Sequence, residues 1–189
     1  MTSTVTLLTD HLGSVRPTVK GTEYTIDAVI NVTDFEDALT TTGTYAGSAN
    51  TFTRTSGTAI AALASLKVGQ NITTTDSASG DNDATVTFVS LVGEVLTLSS
   101  TTGTATGDEV SFSTDQEVIA YADFGLRTVN QVLILGQENV LLNWQVQLNA
   151  DGNTAIADHL VLRCITSSTG AQFAAGDAGT IRVRLVGQI

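Results

Sequence analysis

Little in this chain interrupts it, and little in it reacts. Proline occurs once, at Pro17, and charged residues make up only 14% of the sequence. Thoroughly disordered chains are usually rich in both, so an ordered protein is expected. Cysteine also occurs once. Cys164 sits in the apolar run "LVLRC", so no disulfide can form within the chain, which suits folding in a reducing cytosol. Its alternation partners Leu160 and Leu162 make it read as a buried structural thiol rather than a reactive one. The two histidines, His11 and His159, are too few for a multi-histidine metal site in one chain. No apolar stretch approaches ~18 residues, so nothing is expected to span a membrane. The opening "MTSTVTLLTD" lacks the basic flank and continuous apolar core of a signal peptide.

Basic residues are scarce as well. Eight Lys and Arg stand against 19 Asp and Glu, a net charge of −11. Nucleic-acid binders present a basic stripe that displaces counterions from phosphates. Here the cations are scattered and the summed field repels polyanions, so no nucleic-acid partner is expected. The negative charge reads first as a device for solubility at high concentration.

Catalytic patterns are missing too. There is no G-x-S-x-G elbow, no Walker-type loop, and no G-x-G-x-x-G after a strand. His159, beside Asp158, reads as a strand-edge residue, with a general base as the alternative. "DND" at 81–83, with Asp76 nearby, lacks the glutamate that closes an EF-hand and reads as a hairpin turn. Trp144, the only tryptophan, has the alternation of an inward core residue, with ligand stacking as the alternative. No enzyme activity, metal or cofactor is called for.

What the chain does have is Thr, Ser, Gly, Ala and Val, which favours pleated, half-buried surfaces. Period-two runs are plain. In "EYTIDAVINVTDF", Tyr24, Ile26, Ala28 and Ile30 share one face. In "NVLLNWQVQLN", Leu142, Trp144, Val146 and Leu148 do so. In "GTIRVRLVGQI", Ile181, Val183 and Leu185 point inward, with Arg182 and Arg184 outward. "STVTLL", "RTVNQVLILG" and "HLVLRCI" add further strands. The expected fold class is all-β, a β-sandwich or jelly-roll-like body.

Between these runs the texture changes. "TTTGTYAGSANTFTRTSG" (40–57) and "SSTTGTATGDEVSFSTDQ" (99–116) are small, polar and Gly-punctuated. They read as connections, with at most one weak strand around Thr51–Thr53. Between them lie a short helical piece in "TAIAALASL" (58–66) and two alternating strands, Thr85–Val89 and "EVLTLSS". The expected organisation is a discontinuous body, 1–42 with 115–189, carrying a small β domain, 43–114, inserted in a surface loop. Such insertions cost only ~0.6 kcal/mol of closure entropy per doubling of loop length.

The middle stretch, "VGQNIT" (68–73), "GDNDATVTFVSL" (80–91) and "VLTLSS" (95–100), resembles a small β unit that recurs in tailed-bacteriophage virion proteins. The flanks, "YADFGLRTVNQVLILG" (121–136), "WQVQLNADGN" and "GTIRVRLVGQI", resemble phage head decoration (cement) proteins and other minor virion proteins. The resemblance implies a non-enzymatic structural protein on the capsid surface, assembled in the host cytoplasm. Its implied partners are the major capsid protein and further copies of itself, as a homotrimer. A tail or baseplate component and an adhesin-like carbohydrate-binding module are the alternatives. The candidate capsid or subunit contacts are Arg16, Lys20, Arg127, Arg182 and Arg184. Arg182 and Arg184 read either as a solvated strand face or as an interface with an acidic partner. The acidic "DFED" (34–37) reads as a contact or as a solvated turn.

Overall fold

The structure is a computed structural model. It describes residues 2–9, 18–33, 39–76, 83–100, 106–114, 116–138, 142–148, 157–166 and 178–189. Its β-strands are all antiparallel in their pairings, and the chain divides into two compact units, 1–35 with 116–189 and 36–115.

The first unit holds β1 (Thr2–Leu7), β2 (Thr18–Lys20), β3 (Glu23–Thr33), β10 (Gln116–Ala120), β11 (Thr128–Gln137), β12 (Leu142–Leu148), β13 (His159–Thr166) and β14 (Ala178–Gln188). A five-stranded sheet runs β1-β3-β14-β11, with β2 added beside β3, and a three-stranded sheet runs β10-β13-β12. Period-two sequence produces this arrangement directly. Ile26, Ala28 and Ile30 of β3 and Ile181, Val183 and Leu185 of β14 are buried, and they meet Leu160 and Leu162 of β13 and Trp144 of β12 in one core. Two sheets closing on a shared apolar layer make a sandwich. The 3-10 turn Tyr121–Phe124 adds Tyr121 and Phe124 to that layer, and Gly125, at φ +72°, ends it in the left-handed region that glycine adopts without strain.

The second unit is a closed six-stranded barrel in the order β4-β5-β8-β7-β6-β9. Its strands are β4 (Leu39–Ala46), β5 (Thr51–Gly57), β6 (Asn71–Asp76), β7 (Ala84–Val92), β8 (Val95–Leu98) and β9 (Thr106–Ser113). Tyr45, Phe52 and Phe112 form an edge-to-face chain of rings, each step 5.0 Å between centroids. Ile72, Phe88, Leu96 and Val110 fill the rest of the interior, and Ile60 and Leu63 join them from the 3-10 turn Ile60–Ser65. Two polar side chains drawn inside find partners. The Thr41 hydroxyl lies 2.9 and 2.8 Å from the carbonyls of Ser56 and Thr58, and Gln70 Nε2 donates to Thr114 Oγ1 at 3.2 Å.

Two stretches expected to be connections are strands. β4 and β9 pair with each other from Leu39↔Phe112 to Thr44↔Thr106, and β4 also pairs with β5. The boundary expected at 42/43 therefore falls inside β4, and the unit begins earlier, at about residue 36. The physical reason lies in which residues point inward. In β4 they are Leu39, Thr41, Gly43 and Tyr45, so two of the four carry no apolar signature. Gly43 is there because a Cβ would stand 2.3 Å from Phe52 Cζ and 2.4 Å from the Thr53 carbonyl oxygen. The short helical piece expected at 58–66 is the 3-10 turn.

Candidate functional site

The cations singled out from the sequence belong to the first unit, and the sheet order brings several of them onto one surface. Cross-strand partners in a ladder share a face. Lys20 pairs with Glu23, Arg182 with Val29 and Arg184 with Asp27. Glu23, Asp27 and Val29 share the odd parity of β3, opposite the buried Ile26, Ala28 and Ile30. Lys20, Arg182 and Arg184 therefore lie on the outer face of the five-stranded sheet. Arg127 stands just before β11, at the margin of the same sheet, with its backbone N–H donating to the Gln188 carbonyl at 2.7 Å. Arg16 and the acidic 34–37 stretch lie outside the described residues.

The two neighbouring arginines have different settings. Arg184 Nε and Nη2 donate to Asp27 Oδ1 and Oδ2 at 2.6 and 2.7 Å, a bidentate fork. That hydrogen bonding, reinforced by the charges of Arg184 and Arg182, holds the Asp27 carboxyl below the usual carboxylate range against a partial desolvation. Arg182 is exposed and borders a groove of about 240 Å³, with Val29, Leu135, Gly136, Gln137, Glu138 and Thr180 as the other walls. Thr180 Oγ1 donates to Asn31 Oδ1 at 2.8 Å, which ties the floor together.

Next to the groove is a feature the sequence reading passed over. β11 forms the margin of the sheet, bonded to β14 on one side and to no strand on the other among the described residues. Leu133, Ile134 and Leu135 in its middle are 42%, 44% and 43% exposed. A signal was present. "VLIL" is apolar at consecutive positions, whereas a strand with one buried face alternates. The run holds more apolar residues than one core face of β11 can take in.

The remaining candidates are spread over both units. Trp144 is 4% exposed within the sandwich core, as its alternation predicts. His159 opens β13, with Nδ1 2.6 Å from Asp158 Oδ1. Asp83 Oδ1 accepts the Asp76 N–H at 2.6 Å; residues 77–82, where the turn was expected, and His11 lie outside the described residues. Cys164 lies in β13 opposite Trp144. Among the described residues no three His, Cys, Asp or Glu side chains are placed to share a metal ion, and no helix is long and apolar enough to cross a membrane. No family model matches the chain, and no curated protein or solved structure matches it significantly.

The geometry of this surface suits protein contact. It joins a rigid sheet, a shallow groove with an accessible guanidinium and a row of exposed aliphatic side chains. Interfaces combine such apolar centres with arginine-bearing polar margins.

Proposed function

We propose that this chain is a non-enzymatic virion structural protein, a capsid decoration or cement protein. It binds the outer shell of a phage head as a homo-oligomer, with the major capsid protein as its partner. The observation that carries this reading is the outer sheet face, where the exposed Leu133 and Leu135 of β11 adjoin Arg182 and the Arg184–Asp27 fork. Such a face can seat on a protein surface, and the resemblance of the flanking strands to decoration proteins names the kind of surface. Net charge of −11 and few lysines suit display at high local density.

One observation weighs against the carbohydrate-binding alternative. Sugar sites use exposed aromatic faces for stacking. Among the described aromatics, Tyr45, Phe52, Phe88, Phe112, Tyr121, Phe124 and Trp144 are buried and Tyr24 is half-buried.

The deciding experiment is quantitative mass spectrometry of purified particles, with the major capsid protein as the internal standard. A copy number comparable to that of the capsid protein is expected. A copy number lower by more than tenfold would move the protein to the neck, tail or baseplate. Its absence from particles would overturn the virion reading altogether.

A further inference from the structure

We propose that β11 is the seat of self-association. Two copies of this chain pair their β11 strands antiparallel about a two-fold axis and so fuse their five-stranded sheets into one. This goes beyond the decoration reading and does not depend on it.

A bare sheet edge is a template for another strand, and proteins guard such edges with charge, proline or bulges. Charge and proline are missing from β11. All ten residues of "TVNQVLILGQ" are uncharged, in a chain of net charge −11. Contact along β11 therefore opposes no like charges; β1 and β12, at other sheet margins, are uncharged too, and β11 is the one that also exposes a run of three large aliphatic residues. Bulges are present, between Val129 and Gln131 and between Ile134 and Gly136. They interrupt the ladder with β14 at two points, one on each side of Leu133.

Two independent features select the antiparallel, two-fold arrangement. The first is register. Cross-strand partners share a face, so the axis must pass through a residue rather than between two. Through Leu133, it sets Val132 against Ile134 of the second copy on the inner face and Leu133 against its own counterpart on the outer face. Val132 already packs on the sandwich core, so the pairing extends that core across the axis. The second feature is charge. The ionisable residues flanking β11 are Arg127 before it and Glu138 after it, both exposed. Antiparallel pairing about Leu133 carries Glu138 of each copy to Arg127 of the other, since the two lie nearly equidistant along the chain from the axis. Parallel pairing would put like with like. An isologous contact of this kind closes on itself as a dimer. The trimer expected from the resemblance would need a different surface.

The test is sedimentation of the full chain from about 1 to about 100 µM, where micromolar self-association is resolved. The wild type is expected to be a dimer at the upper end. Leu133→Lys should raise the dissociation constant about tenfold or more, with circular dichroism and Trp144 emission unchanged. Arg127→Glu and Glu138→Arg should each weaken association about threefold or more, because each pair occurs twice. An equimolar mixture of these two variants should associate better than either alone, since only the mixed pair restores opposite charges at both ends. Leu133→Cys should crosslink into dimers on oxidation while the wild type does not. A monomeric wild type at 100 µM, a trimer, or variants that associate like the wild type would each overturn the proposal. Any of those results leaves the copy-number test of the decoration reading standing.

Discussion

Replacing Gly43 by alanine probes the barrel at its tightest point. The added Cβ would stand 2.3 Å from Phe52 Cζ, 2.7 Å from Phe52 Cε2 and 2.4 Å from the Thr53 carbonyl oxygen. Carbon atoms rest at about 3.5–4 Å, so the ring would have to retreat by more than about 1 Å. It has nowhere to go, because Phe52 is fully buried and sits between Tyr45 and Phe112, 5.0 Å from each. The carbonyl is backbone of β5 and can move only by shifting the strand. Overpacking of this kind costs about 1–3 kcal/mol, and the lower entropy of an unfolded alanine chain returns about 0.5–1 kcal/mol. With a backbone atom among the clashes the upper half of that overpacking range applies, so a net loss of about 1–2.5 kcal/mol is expected from denaturant unfolding, with faster amide exchange concentrated in β4, β5 and β8. Gly136→Ala is the control. No atom lies within 4 Å of its added Cβ, so stability should stay within about 0.5 kcal/mol of the wild type. A neutral or stabilising Gly43→Ala would refute the claim that Phe52 and the β5 backbone fix a glycine at this position.

Three further outcomes are expected. Asp27→Asn should be less stable than the wild type at neutral pH. Because the folded pKa of Asp27 is lowered, its contribution is present above the unfolded value of about 3.9 and is lost as pH falls through the lower folded value. The gap between the two proteins should therefore close in acid melts, and a gap that persists at the lowest pH would refute the ion-pair explanation. Burial raises the Tyr45 phenol well above its ordinary value, with Asp76 and Asp83 adding to the effect. In ultraviolet difference spectra it should remain protonated above the ordinary tyrosine range, and its contribution to stability, full below about pH 10, should fall as pH rises further. Excising residues 36–115 and joining the ends with a short Gly-Ser link should leave a cooperatively folded sandwich with blue-shifted Trp144 emission; unfolding of the remainder would show that the sandwich needs the barrel.

The legible parts of this fold were those where one face of a strand is apolar and the other is not. β3, β12 and β14 announce themselves through Ile26–Ala28–Ile30, Trp144–Val146 and Ile181–Val183–Leu185, and the all-β class follows. β4 and β9 were lost because a small closed barrel fills its interior from the large residues of other strands, so Thr41 and Gly43 can face inward. Threonine on both faces then looks like a connection. β10 was lost for the opposite reason. Ile119 enters the main core while Val118 packs on Val161 in a separate cluster, so both faces are apolar and no alternation survives. At the candidate surface, the arginines were legible from their parity on β14. The fork from Arg184 to Asp27 joins residues 157 positions apart and depends on β14 lying beside β3, which local sequence does not specify. Exposure of Leu133, Ile134 and Leu135 likewise depends on β11 ending the sheet, a property of strand order.

The pairing of β4 with β9 also has a mechanical consequence. The chain passes into the barrel at Leu39 and leaves it after Phe112, and these two residues are direct partners in one ladder. Tension drawn between the two crossings would meet that ladder from its end and open it one rung at a time, as a zipper opens, instead of shearing all its hydrogen bonds at once. The strands before and after the barrel belong to one sandwich, in which β3 and β14 are paired along ten rungs, so load reaches the β4–β9 ladder only after that pairing gives way. From then on the barrel opens rung by rung, and at about 3.3–3.6 Å per extended residue its unravelling adds roughly 250 Å of extension.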